Sequence, residues 1–268
     1  MSRTINRRSL LRGGGEIIID NLYALKQLSI GNEFSGNISD LNNSNPFSFE
    51  IRVRRELGVN ELFSFKDLSG NKILRGYTNG TGSVGYRLIL EWIDSGGTNR
   101  FINDENRHPL TEWFHIVGTF DVNSKFQIFV YGFKRQEEAT NISFSSAFDK
   151  LFLRQDLSGN NVFRALRIYN KVLTQTEIND LYNETSKEIQ PIPSTAQSNL
   201  LREFVMNQAS GLQIVESIEN NLTLVTSDNT SQYSEGGGAW IKPEESEGQI
   251  AFNDNYALEQ KTDGNDFE

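Results

Sequence analysis

The feature that most constrains this chain is a period-two alternation repeated in short runs. In Phe47-Ser48-Phe49-Glu50-Ile51-Arg52-Val53-Arg54 apolar and polar residues alternate without a break, which assigns one set of side chains to each face of a half-buried strand. Phe126-Gln127-Ile128-Phe129-Val130-Tyr131 and Trp113-Phe114-His115-Ile116-Val117-Gly118-Thr119-Phe120 are denser apolar runs and read as strands too, the first of them central. The short polar side chains of Asp121-Val122-Asn123-Ser124 favour a turn between these two. Short strands divided by turns continue from about residue 16 to 170, the mark of an all-β chain.

The pentapeptide Asp-Leu-Ser-Gly-Asn occurs twice, at Asp67–Asn71 and Asp156–Asn160, each time between apolar stretches. A glycine that can take positive φ, flanked by Asp and Asn that bond backbone groups, predicts a tight hairpin turn. A calcium loop is the sharper reading, because Asp and Asn oxygens are hard ligands. Each copy offers few carboxylates, so the plain turn is expected and no cofactor is assigned, with calcium binding the alternative.

One helix is signalled. Thr174 and Glu177 stand at the positions of a capping box, and Leu173 with Ile178 at those of a hydrophobic staple. Ile178, Leu181 and Tyr182 then share a face, which predicts a helix from about Gln175 to Glu184 lying against the sheets. Pro191 and Pro193 mark a linker. Strand-like patterning resumes at Leu200–Val205, Leu212–Val215 and Leu222–Val225, followed by Gly236-Gly237-Gly238-Ala239-Trp240. The expected organisation is a basic arm over residues 1–15, a β domain over 16–188, and a linker with an acidic C-terminal extension over 189–268.

Composition removes several classes of function. There is no cysteine, so neither disulfides nor thiolate metal sites contribute. A formal charge of -9 argues against general nucleic-acid binding. No window approaches the roughly 18 apolar residues of a membrane-spanning helix. Asn-x-Ser/Thr triplets such as Asn141-Ile142-Ser143 are what so Asn-rich a chain yields by composition. The charge is unevenly spread. Arg3, Arg7, Arg8 and Arg12 occupy residues 1–15 without an acid, whereas residues 235–268 carry nine acids against Lys242 and Lys261. Opposed ends of this kind suggest interaction tails. Asn6–Arg12 has the look of a twin-arginine export signal, but Gly13-Gly14-Gly15-Glu16 follows where an apolar stretch is needed, so export by that route is not expected.

Taken in order, these pieces resemble a laminin-G-like (concanavalin A-like lectin/glucanase) jelly-roll domain. The stretches that carry the resemblance are Pro46–Ile51, Thr111–Asp121 and Ala165–Ile178, the last a core strand running into the capped helix. The likeness spans about residues 20–184 and implies an all-β fold: two antiparallel sheets packed face to face, one of them concave, with one short capped helix. The Arg-rich start running into Gly13-Gly14-Gly15 is similar to laminin-G-containing head- or tail-fibre proteins of tailed bacteriophages. That second likeness implies a virion protein, made in the host cytoplasm, with Arg7, Arg8 and Arg12 anchoring it to capsid or tail partners and homo-oligomerisation expected.

Relatives of this fold include glucanases that carry Glu-x-Asp-x-(x)-Glu on one strand. No such run exists here, and Glu91-Trp92-Ile93-Asp94 has the wrong spacing, so no enzymatic role is expected. A cell-surface glycan remains a candidate partner, and a bacterial carbohydrate-binding module is the alternative reading. Tyr77–Gly82 and Asp94–Asn99 have the open, polar composition of a recognition rim. Asn79, Asp94 and Asn99 are the candidate glycan contacts on those loops, joined by Trp240. Trp92 and Trp113 read as strand packing.

Overall fold

The computed structural model describes residues 24–26, 33–55, 61–81, 85–108, 113–121, 125–138, 143–154, 161–182, 190–206, 213–215, 223–226 and 240–241. In chain order the first strands are β1 (Ala24–Lys26), β2 (Glu33–Asn37), β3 (Phe47–Arg55), β4 (Glu61–Lys66), β5 (Lys72–Thr81), β6 (Gly85–Ile93), β7 (Asn99–Asn103) and β8 (Trp113–Asp121). They are followed by β9 (Lys125–Val130), β10 (Phe133–Glu138), β11 (Lys150–Arg154), β12 (Asn161–Tyr169), α1 (Gln175–Leu181), α2 (Ser194–Gln197) and β13 (Leu200–Val205). Three short strands complete the set: β14 (Gln213–Val215), β15 (Thr223–Thr226) and β16 (Trp240–Ile241).

Among the described residues the strands form two antiparallel sheets. The first runs β10-β9-β8-β3-β12-β1-β16, with β13 also paired to β12. The second runs β14-β15-β2-β11-β4-β5-β6-β7. The far edge of β12 is thus shared: β1 pairs at Val162 and Phe163, and β13 at Ala165 to Tyr169. The expected two-sheet sandwich is what the chain forms.

The alternation in β3 explains the core. Phe47, Phe49, Ile51 and Val53 are fully buried between the sheets, where they meet Phe63, Phe65, Leu88, Leu90 and Trp92 of the second sheet in one apolar cluster. At its centre two phenylalanines lie across glycines on neighbouring strands. Phe49 pairs with Gly118, and Phe63 with Gly76. The two rings then meet edge to face at 4.8 Å between centroids, a geometry aromatic quadrupoles favour. A Cβ added at Gly118 would sit 2.4 Å from Phe49 Cε1, and one at Gly76 2.3 Å from Phe63 Cε1. Trp92 and Trp113 are buried, as strand packing requires.

The polar set of β3 departs from the sequence expectation. Glu50 and Arg52 are fully buried and Arg54 nearly so, because the outer face of the first sheet is covered rather than wet. Val117, Phe129 and Tyr169 on that face pack with Leu173, Ile178 and Leu181 of the α1 region and with Ala196 of α2. The buried charges are paired. Glu50 accepts hydrogen bonds from Arg167 Nη1 at 3.1 Å, Tyr169 OH at 3.3 Å and His115 Nε2 at 3.2 Å, and lies 3.4 Å from Arg52 Nε. Arg167 Nε in turn donates to Glu203 on β13 at 2.9 Å, and Arg52 Nη2 donates to the Leu181 carbonyl at the end of α1. Burial opposes ionisation of Glu50, yet the Arg167 charge and the His115 hydrogen bond hold its carboxyl well below the usual range. This network fastens helix and extension strand to the sheet.

The capping box forms as the sequence specifies: Thr174 Oγ1 accepts from Glu177 N, and Glu177 Oε2 accepts from Thr174 N at 2.8 Å. Burial opposes ionisation of the Glu177 carboxyl, but the Lys171 ammonium and the Thr174 backbone N–H bring it down to about 2. The helix stops at Leu181, short of the expected Glu184, because Tyr182 leaves the helix with extended backbone angles (φ -86°, ψ 144°). A second, four-residue helix, α2, follows Pro193 where only a linker was expected.

The first Asp-Leu-Ser-Gly-Asn copy is the plain turn between β4 and β5. Asp67 Oδ1 accepts from Asn71 N at 2.8 Å, Gly70 N–H donates to the Asp67 carbonyl, and Gly70 takes φ +86°. The second copy lies outside the described residues. Among those residues no cluster of three or more His, Asp or Glu side chains could hold a metal ion, and no helix is long and apolar enough to cross a membrane.

Candidate glycan-binding face

On the outer side of β5, β6 and β7 the side chains of Arg75, Tyr77, Arg87, Ile89 and Glu91 are half-buried and those of Asn79 and Phe101 are exposed, whereas the outer face of the first sheet is covered by the helices. Strict alternation in β6 sends Tyr86, Leu88, Leu90 and Trp92 into the core and leaves Arg87, Ile89, Glu91 and Ile93 facing out. Strand pairing sets their neighbours. Arg75, Glu91 and Phe101 form one cross-strand row, Tyr77, Ile89 and Asn103 the next, and Asn79 stands opposite Arg87. With strands about 4.8 Å apart and about 3.4 Å per residue along each, these rows cover roughly 10 by 13 Å, the footprint of a short oligosaccharide.

Within the face, Arg75 Nη2 donates to both Glu91 carboxylate oxygens at 3.0 Å, and Tyr77 OH donates to Oε2 at 3.2 Å. The Arg75 guanidinium also lies 4.7 Å over the Tyr77 ring. Burial and the Glu91 charge push the Tyr77 phenol above its usual range, so it stays a donor. Phe101, by contrast, presents its ring to solvent at 62% exposure.

One end of the face closes into a shallow pocket of about 250 Å³, lined by Asn79, Gly80, Arg87, Ile89, Asn103 and Arg107. Its far wall is the loop leaving β7. Asp104 is buried there, and its Oδ2 accepts from His108 Nε2 at 2.6 Å while Oδ1 accepts from Asn106 N and Nδ2, both at 3.0 Å. Burial opposes ionisation of Asp104, but these donors hold its carboxyl below the usual range. His108 is clamped further by the Phe114 and Tyr131 rings, edge-on at 5.1 and 5.5 Å, and its backbone pairs with Tyr86. The loop is thereby fixed, and Arg107 reaches back to donate to the Gly85 carbonyl at 3.0 Å. The strand end opposite must stay slim: a Cβ at Gly80 would fall 2.5 Å from the Gly85 carbonyl oxygen.

The residues expected to touch glycan do not converge. Asn79 is exposed and lines the pocket. Asp94 lies at the other end of β6, seven residues from Arg87, or roughly 24 Å at about 3.4 Å per residue. Its carboxylate is spent on the β6–β7 turn: Oδ1 accepts from Gly96 N and Thr98 N, both at 2.9 Å, and Oδ2 from Arg100 Nε at 2.9 Å. Asp94 thus forms the turn at the end of the face away from the pocket. Asn99 is exposed beside that turn, away from the pocket. Trp240 belongs to the other sheet, its backbone paired with Leu25. Arg7, Arg8 and Arg12 lie outside the described residues. Arg87, Asn103, Arg107 and Phe101 were missed. Arg87 alternates outward in the Tyr86–Ile93 pattern, a signal present in the sequence, whereas Phe101 and Arg107 come to the face through the pairing of β7 and the fold of the loop that follows it.

Comparison with known proteins fits this architecture. Residues 31–179 match the laminin G type 3 family model, described as the concanavalin A-like lectin/glucanases superfamily. The chain belongs to that family. No curated protein matches the sequence. A structure from Bacteroides ovatus, described as a candidate carbohydrate-binding protein, superposes with a TM-score of 0.55 at 12% identity, covering 77% of this chain and 58% of that one. The botulinum neurotoxin serotype D binding domain aligns over 57% of this chain and 40% of its own at 12% identity and a TM-score of 0.48. The binding domain of Paraclostridial Mosquitocidal Protein 1 aligns over 60% and 47% at 13% identity and a TM-score of 0.45. The chain therefore spans less than two thirds of each of these structures, and the likeness is one of fold.

Proposed function

We propose that this chain is a non-catalytic adhesion module that recognises a glycan on the outer face of β5, β6 and β7. The observation that carries the reading is the composition of that face. An exposed aromatic ring, Phe101, stands beside a hydrogen-bonded tyrosine, two side-chain amides and a pocket, on a sheet whose counterpart has its outer face covered. Sugars offer apolar ring faces for stacking and hydroxyls for amide hydrogen bonds, which is the pairing this surface supplies. Against hydrolysis stands the shortage of carboxylates. Glycoside cleavage uses two carboxyl groups flanking one bond. On the described part of β4 to β7, Glu91 is clamped by Arg75, and Glu61 beside it is buried at 3% exposure.

A glycan array probed with purified protein, with and without calcium, tests the reading, followed by mass spectrometry of retained glycans. Binding without cleavage, weakened in Phe101→Ala, is the expected result. A blank array overturns it, and cleaved product overturns the non-catalytic part. Display on a phage virion is the finer proposal, supported only by the acid-free arginine arm and its glycines. Deleting residues 1–15 is expected to abolish attachment to particles while the sandwich stays folded, and attachment by the truncated chain would refute the anchor.

A further inference from the structure

The pocket at the end of the face carries an electrostatic feature that sugar binding alone does not require. Arg87 and Arg107 both line it, and neither has a carboxylate at ion-pair distance among the described residues. The other arginines of this sheet edge are neutralised: Arg75 by Glu91, at 3.0 Å, and Arg100 by Asp94, at 2.9 Å. Asn79 and Asn103 add two side-chain amides that make no hydrogen bond within the described protein. Two uncompensated guanidiniums beside free amides, on a chain of formal charge -9, form a local reversal of sign.

We propose that this pocket takes the acidic group of an anionic saccharide, a sugar carboxylate or a sulfate ester. The proposal rests on the glycan-binding reading and narrows it to a ligand class. A guanidinium offers parallel N–H donors in a fixed fork that matches both oxyanions. The pocket volume, about eight waters' worth, suits one sugar unit, with the rest of the chain laid along Ile89 toward Phe101. Selectivity follows from the surrounding charge. The protein as a whole repels polyanions, so capture depends on these two arginines rather than on diffuse attraction. The pinned Asp104–His108 loop holds Arg107 in place before ligand arrives, which spares the cost of ordering it.

The test uses the full chain and titration calorimetry with four probes: an oligogalacturonate, its carboxyl-reduced counterpart, a sulfated oligosaccharide and its desulfated form. The expected result is binding to at least one acidic probe about tenfold or more tighter than to its neutral partner. That affinity falls with added salt, and about tenfold is lost in Arg87→Gln and again in Arg107→Gln. Arg107 is exposed, so its variant retains the fold, checked by an unchanged melting temperature. Arg100→Gln, outside the pocket, leaves affinity unchanged. Preference for the uronate over the sulfate, or the reverse, decides which acid the pocket reads. Equal binding of neutral and acidic partners, unaltered in both pocket variants, overturns the anionic assignment while the glycan reading stands. No binding of any neutral or acidic saccharide, here and on the array, overturns both.

Discussion

Replacing Gly118 by alanine should destabilise the fold, and the structure says by how much and through which neighbour. A Cβ there would lie 2.4 Å from Phe49 Cε1 and 2.5 Å from Cζ, far inside van der Waals contact. The Phe49 ring cannot simply swing away, because it is held edge-on to Phe63 at 4.8 Å and lies against Phe65 and Phe120. Overpacking of this kind costs about 1–3 kcal/mol. Alanine recovers about 0.5–1 kcal/mol of the entropic penalty glycine carries in a strand. The balance favours destabilisation by about 1–2 kcal/mol, or roughly 2–8 °C in melting temperature for a domain of this size. Urea unfolding followed by near-ultraviolet circular dichroism measures it. The decisive step is the double-mutant cycle with Phe49→Leu, in which the smaller side chain should absorb most of the added methyl's cost. A Gly118→Ala protein that is more stable than wild type, or a cycle with no coupling to Phe49, refutes the reasoning.

Three further outcomes are expected. Glu50→Gln leaves Arg167 and Arg52 buried beside a neutral group and should cost about 3–5 kcal/mol, read from denaturant midpoints. Stability should fall on acidification in two stages. Burial pushes the His115 imidazole below its ordinary value of 6.5, so the unfolded chain binds the extra proton and stability is lost as pH drops below about 6.5. The depressed Glu50 carboxyl adds a second loss below its ordinary value of 4.5, since the unfolded chain again takes up the proton first. Urea midpoints measured from pH 8 to 4 should show both, and His115→Gln should flatten the upper stage. Thr174→Ala removes the acceptor of Glu177 N and should cost about 1 kcal/mol, with Thr174→Ser close to neutral.

Much of this fold could be read from local pattern because the pattern is local in cause. Alternation in Phe47–Arg54 and the Thr174–Glu177 box each depend on residues within one strand or one turn. What escaped the sequence depends on coverage and register. Nothing near Glu50 announces that α1, more than a hundred residues later, will cover its face and demand Arg167 as a partner. Of the side chains that line the candidate pocket, only Asn79 was singled out from the sequence. Asp94 has the composition of a rim residue, yet in Asp94-Ser95-Gly96-Gly97-Thr98 the carboxylate is the nearest acceptor for the turn's own N–H groups. Arg87 and Arg107 are twenty residues apart and meet because β6, β7 and the Asp104 loop bring them to one corner.

The place of β12 between β3 and the shared edge of β1 and β13 also sets a timetable for synthesis. The edge of β3 that pairs with β12 stays unpaired until Tyr169 has been made, 114 residues after Arg55 (169 minus 55). At about 5–20 residues per second, that is an interval of roughly 6–23 s on the ribosome. An apolar strand waiting that long invites pairing with another nascent chain. The charges that β3 carries at Glu50, Arg52 and Arg54 guard it meanwhile, since charged side chains on an open edge discourage foreign strands. The same groups become the buried network once the proper partner arrives.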